Sequence, residues 1–364
     1  MSEAILLVGG KGTRLRPLTT HTPKPLLRVA GVPLLTHQLA RAAAAGVTRL
    51  VLATSYLAEL FEAEYGDGSA LGLELVYATE PEPLGTGGAI RNAAALLTSG
   101  PREPVFVFNG DILSGVDLAA LRTAHLASGA AVTLHLTRVA DPRAFGLVPT
   151  DAEGRVTAFL EKPGPAERIT TDQINAGCYV FTRAVIDTIP TGREVSVEQE
   201  TFPGLLAAGV PLHGVVDSGY WLDLGTPQAF VRGSADLVTG AVASPALPGP
   251  AGDALVLPGA LVDPAAVLSG GTVVCEGAVL AAEAVVEGSV LLPGARIAGG
   301  ALVHRSVVGE GASIGADTTL RDTVVGARAA VGPDNELVPG LRIGCGVTLP
   351  PAAIRTSAAP SLLS

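Results

Sequence analysis

Lysine, cysteine, aromatic residues and long apolar runs are all scarce in this chain of 364 residues. Only three of its 24 basic residues are lysines, and 34 acidic residues give a formal net charge of −10. This balance argues against a nucleic-acid partner, since a nucleic-acid-binding protein would carry a basic stripe. No apolar run approaches the length of about 18 residues needed to cross a bilayer, so we expect no membrane partner either.

The three cysteines stand far apart in the sequence, at Cys178, Cys275 and Cys345. Such spacing predicts neither a disulfide framework nor a zinc site, and it is typical of proteins in a reducing compartment. The N-terminal residues lack the basic start and long apolar stretch of a signal peptide. We therefore expect a cytoplasmic protein.

The first part of the chain, up to about residue 240, alternates apolar runs with helical patterns. Apolar residues make up 48% of the whole sequence, enough for a large core. The pattern predicts strands at 5–8, 50–53, 105–108 and 132–136, and helices at 33–45 and 117–127, the second with Asp117 as its N-cap. Strands alternating with helices indicate an α/β, Rossmann-like domain on a mostly parallel sheet. The stretch 145–162 resembles a β-excursion, so we expect the sheet to be mixed.

The last part of the chain has a six-residue period. Sixteen aliphatic residues run from Val262 to Leu349, with twelve intervals of six residues and three of five. A hexapeptide period predicts a left-handed parallel β-helix of roughly five coils, with each aliphatic residue pointing inward. We therefore expect a catalytic domain at 1–240, a linker at 241–252, the β-helix at 253–352 and a tail at 353–364.

A glycine-rich turn follows the first predicted strand. The sequence reads GGKGTRLRPL at 9–18 and TPKPL at 22–26. Backbone N–H groups of such a turn can approach a phosphate closely. The spacing fits neither a P-loop nor a dinucleotide fingerprint, in which Leu15 would have to be glycine. The remaining features are a glycine turn and the cations Arg14, Arg16 and Lys24, which suit a triphosphate. The alternative is a tight turn whose basic residues are only solvated.

Taken together, the motifs resemble the signature of the sugar-1-phosphate nucleotidyltransferases, the NDP-sugar pyrophosphorylases. The matching runs are GKGTR at 10–14, PKP at 23–25, EPEPLGTGG at 80–88, NGD at 109–111, FG at 145–146, EKP at 161–163, NAG at 175–177 and GYWLDLGT at 219–226. Within that family, SVEQETFP at 196–203 and WLDLGTP at 221–227 look most like the mannose-1-phosphate guanylyltransferases. The appended hexapeptide β-helix is also a family trait.

The resemblance implies attack by a sugar-1-phosphate oxygen on the α-phosphorus of a nucleoside triphosphate, with release of pyrophosphate. GTP and mannose 1-phosphate would be the substrates. Such transfers depend on positioning and charge neutralisation, so no covalent nucleophile is required. Lys24 would contact the phosphates, and Arg14 would neutralise charge on the leaving pyrophosphate.

The resemblance makes Asp111 and Asp223 the ligands of a Mg²⁺ cofactor, since carboxylate and phosphate oxygens suit that hard cation. Asp111 follows a predicted strand, at the sheet edge where open α/β sheets bind ligands. Asp223 precedes Thr226 and Pro227, which look like an N-cap and the first residue of a helix. A plain turn or loop aspartate is the alternative for each.

The nucleotide and sugar sites carry over from the family in the same way. The nucleotide-binding residues would be Leu7, Gly9, Gly10, Gly12, Thr13, Glu80, Gly85 and Thr86. The sugar-phosphate residues would be Gly146, Glu161, Lys162 and Asn175, where the carboxylate accepts from sugar hydroxyls and the ammonium holds the phosphate.

Glu80 stands where pyrimidine-using relatives commonly carry glutamine. An ionised glutamate only accepts hydrogen bonds, and guanine offers its N1–H and N2–H₂ donors side by side, so this residue favours GTP. A surface glutamate with no role in binding is the alternative.

Three other functions stay open at this point. The chain could be a uridylyl- or thymidylyltransferase acting on glucose 1-phosphate, or a regulatory subunit that binds nucleotide-sugar without turnover. It could also be bifunctional, with an acyltransferase β-helix in which His304 is the only histidine. We expect the β-helix to mediate homo-oligomerisation instead.

Overall fold

The structure is a computed structural model that describes residues 2–10, 12–54, 57–80, 82–164 and 168–355. Lys11 and Pro81 of the motifs, and the predicted tail beyond residue 355, lie outside the described residues. Within the described residues, no helix has both the length and the apolar character needed to span a bilayer.

Short strands and helices alternate along the first 240 residues. The strands are β1 (Ser2–Leu7), β2 (Arg28–Val29), β3 (Val32–Pro33), β4 (Val47–Thr54), β5 (Glu74–Thr79), β6 (Pro104–Asn109), β7 (Ile112–Ser114), β8 (Val132–Arg138), β9 (Gly146–Leu147), β10 (Leu160–Glu161), β11 (Gln173–Thr182), β12 (Leu212–Val216) and β13 (Trp221–Asp223). The α-helices are α1 (Leu34–Ala44), α2 (Ala58–Tyr65), α3 (Gly85–Ala93), α4 (Leu118–Ser128), α5 (Arg183–Ile186), α6 (Phe202–Ala207) and α7 (Pro227–Thr239), and a π-helical turn spans Val197–Thr201.

Nine of these strands form one mixed sheet, as predicted. Its main order is β10-β9-β11-β6-β1-β4-β5, with β8 and β12 attached beside β11. Strands β6, β1, β4 and β5 run parallel, whereas β11 is antiparallel to its neighbours. The chain moves outward from β1 through β4 to β5 and then returns to place β6 on the other side of β1. This reversal creates a topological switch point between β1 and β6.

Two helix starts match the sequence expectation closely. The Asp117 carboxylate accepts a hydrogen bond from the Ala120 N–H at 2.9 Å and caps α4. Thr226 caps α7 through the Ala229 N–H at 3.2 Å, with Pro227 as the first helical residue. The predicted N-cap residues are therefore confirmed.

The C-terminal part is a stack of two- and three-residue strands. They are β14 (Ala254–Val256), β15 (Leu261–Val262), β16 (Val267–Ser269), β17 (Thr272–Val274), β18 (Val279–Leu280), β19 (Val285–Glu287), β20 (Val290–Leu291), β21 (Arg296–Ile297), β22 (Leu302–His304), β23 (Val307–Val308), β24 (Ser313–Ile314), β25 (Thr319–Arg321), β26 (Val324–Val325), β27 (Ala330–Val331), β28 (Glu336–Leu337), β29 (Arg342–Ile343) and β30 (Thr348–Leu349).

Every third strand of the stack pairs in parallel, which gives three sheets of six, six and five strands. This arrangement is consistent with a left-handed β-helix. All sixteen aliphatic positions of the six-residue period lie in, or pack against, one continuous core. The predicted inward-facing residues are thus confirmed.

The chain divides into two compact units, and the division does not follow the sequence order. The first unit holds residues 2–10 and 35–222, and the second holds residues 12–34 and 223–355. In the second unit, α7 packs against β2, β14 and β17. Residues 12–34 therefore fold with α7 and the β-helix, an arrangement that the sequence did not predict.

Candidate active site

The switch point of the sheet brings the first strand beside the turn that carries Asp111. Leu7, the last residue of β1, pairs with Asn109, the last residue of β6. The Gly110 N–H donates to the Leu7 carbonyl oxygen at 2.8 Å, and a Cβ on Gly110 would lie only 2.5 Å from that oxygen. Only glycine fits this approach, so the motif places the half-buried Asp111 in a tight turn between β6 and β7.

Gln38 of α1 holds the two ends of the same turn. Its Nε2 donates to the carbonyl oxygens of Asn109 at 3.0 Å and Ile112 at 2.9 Å. These two residues flank Gly110 and Asp111, so one amide group fixes the span of the turn. Sequence reasoning missed Gln38, because it lies 71 residues before Asn109 and matches no motif.

Two other predicted nucleotide-binding residues follow β1 after one intervening residue, Val8. Gly9 and Gly10 are exposed, and Gly10 adopts a φ of +109° that favours glycine. Apart from its chain neighbours, no heavy atom of the described residues lies within 4 Å of the position that a Cβ on Gly10 would take. The backbone here is accessible to a ligand.

Glu80 lies at the end of β5, on the same edge of the sheet. The residue is only 9% exposed, so it does not lie on the surface as the alternative assumed. Its Oε2 accepts a hydrogen bond from the Leu84 N–H at 3.1 Å, which orders the loop before α3. Burial raises the pKa of this carboxyl above its usual value of 4.5, and the Leu84 N–H partly opposes that shift.

The start of α3 packs against the coil that leads into the π-helical turn Val197–Thr201. Gly85 has a φ of +69°, and a Cβ there would lie 2.6 Å from the Val195 carbonyl oxygen. The Thr86 hydroxyl donates to Glu198 Oε2 at 2.7 Å and accepts from the Val197 N–H at 2.9 Å. The donor of Thr86 is therefore already used within the protein, and Glu198 joins this cluster although it is 112 residues away.

The predicted sugar-phosphate residues come together on a small antiparallel ribbon. Gly146 of β9 pairs directly with Glu161 of β10, and a Cβ on Gly146 would lie 2.6 Å from Glu161 Oε2. Lys162 has a φ of +45°, and its Nζ lies 3.1 Å from Glu161 Oε1. The lysine side chain is 69% exposed. This geometry leaves the ammonium accessible beside a carboxylate.

Asn175 lies on the neighbouring strand β11. Its Nδ2 donates to the Tyr179 hydroxyl at 2.7 Å, and its Oδ1 accepts from the Gly177 N–H at 3.1 Å. Trp221 closes this side by donating from Nε1 to the Ala176 carbonyl oxygen at 2.9 Å. The amide of Asn175 is thus held in one orientation, with one further N–H and one lone pair for a ligand.

The second unit holds the other predicted residues, which lie around a tight turn. Gly12 adopts a φ of +55°, and a Cβ there would lie 3.1 Å from the Thr19 side chain and 3.2 Å from that of Lys24. The Thr19 hydroxyl donates to the Gly12 carbonyl oxygen at 2.8 Å. Thr13 begins the short 3₁₀ turn Thr13–Leu15 that contains Arg14. Glycine therefore allows the loop to close over Lys24.

Asp223 stands between the two predicted catalytic cations. Its Oδ1 lies 3.6 Å from Lys24 Nζ, and its Oδ2 lies 3.9 Å from Arg14 Nη2. Lys24 is only 9% exposed, whereas the side chain of Arg14 is 67% exposed. A Cβ on Gly225 would lie 2.7 Å from Arg14 Nη2, so glycine leaves room for the guanidinium. The second unit thus brings together Arg14, Lys24 and Asp223, which come from separate motifs.

The acidic groups fit a metal that takes part of its coordination from a substrate. Within the described residues, no group of three or more His, Cys, Asp or Glu side chains could hold an ion alone. Asp111 and Asp223 offer carboxylate oxygens, the donors that a hard divalent cation prefers. Each of the two suits such an ion by the chemistry of its carboxylate, and phosphate oxygens and water would be the other ligands.

The surroundings of Cys178, Cys275 and His304 indicate structural roles rather than catalytic ones. Burial raises the pKa of Cys178 and of Cys275 to about 12, so both are protonated near neutral pH. A protonated, buried thiol is a poor nucleophile. The Nδ1 of His304 lies 3.1 Å from Glu287 Oε2 of the preceding coil. That contact ties two coils together, which is a structural role.

Known proteins with similar sequence or structure agree on a family. The profile of the nucleotidyl transferase family matches residues 3–240, and the GMPPB C-terminal domain profile matches residues 251–358. The chain is 61% identical over 277 residues to a mannose-1-phosphate guanylyltransferase of Mycobacterium tuberculosis, covering 76% of each chain. It is 39% identical over 233 residues to the mannose-1-phosphate guanylyltransferase catalytic subunit beta of Drosophila melanogaster, covering 64% of this chain and 62% of that one.

A solved structure supports the same assignment. HddC from Yersinia pseudotuberculosis, complexed with GMP-PN, matches with a TM-score of 0.55 and 26% identity over 64% of this chain and 98% of its own. Enzymes of the nucleotidyl transferase family generally use a divalent metal. From the profile that covers residues 3–240 and the relative with 61% identity, we conclude that the chain belongs to the nucleotidyl transferase family.

Proposed function

We propose that the chain is a mannose-1-phosphate guanylyltransferase, which converts GTP and mannose 1-phosphate to GDP-mannose and pyrophosphate. The observation that carries this proposal is the 61% identity to a relative of that name over 76% of both chains. The β-helix supports it, because its sequence matches the GMPPB C-terminal domain.

In the proposed reaction, a phosphate oxygen of mannose 1-phosphate forms a bond to the α-phosphorus of GTP. The bond from that phosphorus to the bridging oxygen breaks, and pyrophosphate leaves with the electron pair. The protein supplies orientation and charge rather than a covalent nucleophile. Arg14 and Lys24 neutralise negative charge on the phosphates, and their placement around Asp223 supports this role.

We infer that Mg²⁺ is the divalent metal and that Asp111 and Asp223 are its protein ligands. When bound, the ion neutralises phosphate charge and helps to orient the triphosphate. Asp223 already faces two cations, so a third positive charge would be repelled there unless a triphosphate came with it. The metal should therefore enter together with the nucleotide.

We assign nucleotide binding to the backbone of the glycine turns and to the buried carboxylate of Glu80. The proposed contacts are Leu7, Gly9, Gly10, Gly12, Thr13, Gly85 and Thr86, with Glu80 reading the guanine edge. Support for Glu80 comes from its burial and from its Oε1, which accepts no hydrogen bond from the described residues while Oε2 accepts from Leu84. Because the Thr86 hydroxyl donates to Glu198, we propose that Thr86 acts as an acceptor or through its N–H.

Mannose 1-phosphate is assigned to the ribbon of β9 and β10 and to β11. Glu161 and Asn175 would bind sugar hydroxyls, the Gly146 backbone would face the sugar, and Lys162 would bind the phosphate. The exposed ammonium of Lys162, held 3.1 Å from Glu161, supports this assignment.

We also propose a cytoplasmic homo-oligomer that associates through the β-helix, with neither a nucleic-acid nor a membrane partner. The domain bounds 1–240, 241–252 and 253–352 belong to the same proposal. Light scattering at micromolar concentration tests the association, and a clean monomer would contradict it.

A pyrophosphate-release assay over a matrix of substrates tests the function. GTP, UTP and dTTP are each combined with mannose 1-phosphate or glucose 1-phosphate, with and without Mg²⁺. We expect the highest kcat/KM for GTP with mannose 1-phosphate and a requirement for the metal. Preference for a pyrimidine nucleotide would identify another pyrophosphorylase, and no turnover in any combination would identify a binding subunit.

A further inference from the structure

The β-helix contacts the signature loop, defined here as residues 12–26 of the second unit. The Nη1 of Arg342, at the start of β29, donates to the carbonyl oxygen of Arg14 at 2.7 Å and to that of Arg16 at 2.9 Å. The intervening Leu15 is buried. One guanidinium therefore holds the backbone on both sides of a buried anchor.

Arg342 breaks the pattern of its own sheet. The strand register aligns it with one column of valines in the preceding rungs, Val273, Val290, Val307 and Val324. Side chains alternate along a strand, so this column faces away from the solenoid core that Ile343 and its counterparts fill. The four valines are at most 2% exposed, whereas Arg342 is exposed, so the arginine departs from the rest of its column in both charge and burial. The arginine stands where the signature loop crosses the last rung of the sheet.

Two further contacts join the β-helix to this region, one to the signature loop and one to β2 just after it. The Cys345 thiol lies 3.6 Å from the Pro17 carbonyl oxygen, and Arg28 Nη1 lies 3.1 Å from Glu276 Oε1. Among these contacts, those of Arg342 are closest to the predicted catalytic residue, because they bind its own carbonyl group. The direction of the long Arg14 side chain depends on how that peptide is held.

We propose that Arg342 is a positioning residue of the β-helix that holds the backbone of Arg14 so that its guanidinium stays beside Asp223. The inference rests on the function proposed above, and it gives one residue of the β-helix a role in guanylyl transfer. Arg342 touches neither substrate nor metal in this account. It acts only through Arg14.

Kinetics of two variants and their combination test this dependence. Arg342→Met keeps the aliphatic stem and removes the donors, and Arg296→Met, an exposed arginine in another sheet of the β-helix, is the control. We expect kcat to fall roughly tenfold in Arg342→Met, the scale of losing hydrogen bonds from a charged donor. KM for mannose 1-phosphate and Tm should stay near those of the wild type, and Arg342→Lys should recover part of the loss.

The double variant gives the sharpest result. Arg14→Ala alone should lower kcat by roughly 10²–10³, the scale for one preorganised electrostatic donor. If Arg342 acts through Arg14, adding Arg342→Met should lower kcat no further. Losses that multiply in the double variant, or an unchanged kcat in Arg342→Met, would overturn the proposal.

Hydrogen–deuterium exchange of the intact protein supplies a readout that needs no activity. The amides of Leu15, Arg16 and Leu18 are hydrogen-bonded within the loop, so they should be protected. They should exchange faster in Arg342→Met than in the wild type or in Arg296→Met. Unchanged exchange rejects the positioning of the loop. Faster exchange in a protein whose wild type lacks guanylyltransferase activity supports the positioning and rejects the assigned reaction.

Discussion

Two of the three lysines in the sequence occupy very different surroundings. Lys24 is buried beside Asp223, with its Cβ 3.2 Å from the position that a Gly12 side chain would take. Lys162 is exposed and pairs with Glu161. The chain uses arginine for all but three of its 24 basic residues, and these two lysines place a compact ammonium where the proposed substrates carry phosphate.

Lys24→Arg and Lys162→Arg should each lose activity although they keep the charge. The loss should be larger for Lys24→Arg, because Lys24 is buried and the larger planar guanidinium would have to displace its neighbours. Steady-state kcat and KM for both substrates measure the effect, and the exchange of an exposed β-helix arginine for lysine, Arg296→Lys, is the control. Full activity in both lysine variants would make the distribution of lysine a coincidence of composition.

Glu80 links the choice of base to pH. Its acceptor form exists above its folded pKa, which burial raises, so kcat/KM for GTP should fall as the pH drops through that raised value. Because burial disfavours the ionised form, the corresponding stability cost is present above the folded pKa and absent below the unfolded pKa. If the Glu80 carboxyl causes this pH dependence, replacing it with a neutral amide should abolish the dependence.

Glu80→Gln should therefore remove that pH limb and shift the preference toward UTP by roughly tenfold or more, since glutamine offers both a donor and an acceptor. Competition between GTP and UTP measures the shift, and Glu82→Gln, an exposed neighbour, is the control. An unchanged ratio of the two kcat/KM values in Glu80→Gln would remove Glu80 from base recognition.

Individual motif residues were predictable, but their partners were not. The sequence placed Arg14, Lys24 and Asp223 in separate motifs, and the fold brings them together. Glu198 and Arg342 lie 112 and 328 residues from the groups that they contact, and no local pattern marks such pairs. Contacts of this range depend on how whole elements pack, which periodicity and spacing do not encode.

At the scale of elements, the turn between β6 and β7 depends on α1. Gln38 binds the carbonyl groups on either side of Asp111, and the glycine before Asp111 allows the backbone to approach Leu7. A helix on one face of the sheet thus sets the geometry of a proposed metal ligand at its edge. Nothing in the helical pattern of α1 distinguished this glutamine from a surface residue.

Gln38→Leu should raise the Mg²⁺ concentration needed for half-maximal activity several-fold and lower stability by about 1–3 kcal/mol, the cost of leaving buried acceptors unpaired. Titrations of activity against Mg²⁺, together with denaturant unfolding, measure both effects. Gln228→Leu, on the exposed side of α7, should change neither. A loss of stability with an unchanged Mg²⁺ requirement would limit Gln38 to a structural role.

The β-helix was the most predictable part of the fold, apart from the three places where the aliphatic period shortens to five residues. The five-residue intervals fall at one corner in three successive coils, after β19, β22 and β25. Buried hydroxyls line that corner and bind the next coil, with Ser306 N–H donating to Ser289 Oγ and Thr323 N–H donating to Ser306 Oγ, both at 3.0 Å. The aliphatic period revealed the coil, but it carried no signal for this polar ladder.

At the scale of the whole molecule, sequence order and spatial grouping differ. Residues 12–34 fold with α7 and the β-helix, although the sequence places them at the start of the predicted catalytic domain. The β-helix thus holds a loop of the proposed active site, in addition to its proposed role in association. A period in the sequence predicts a solenoid, but not which loop packs on it.

The proposal that this whole molecule transfers a guanylyl group has one direct test. The enzyme is mixed with GTP, Mg²⁺ and mannose 1-phosphate labelled with ¹⁸O in its phosphate. The masses of the products are then measured by mass spectrometry. Attack on the α-phosphorus predicts GDP-mannose that retains all of the label and pyrophosphate that contains none. Label in pyrophosphate, or the absence of a nucleotide-sugar product, would contradict the account.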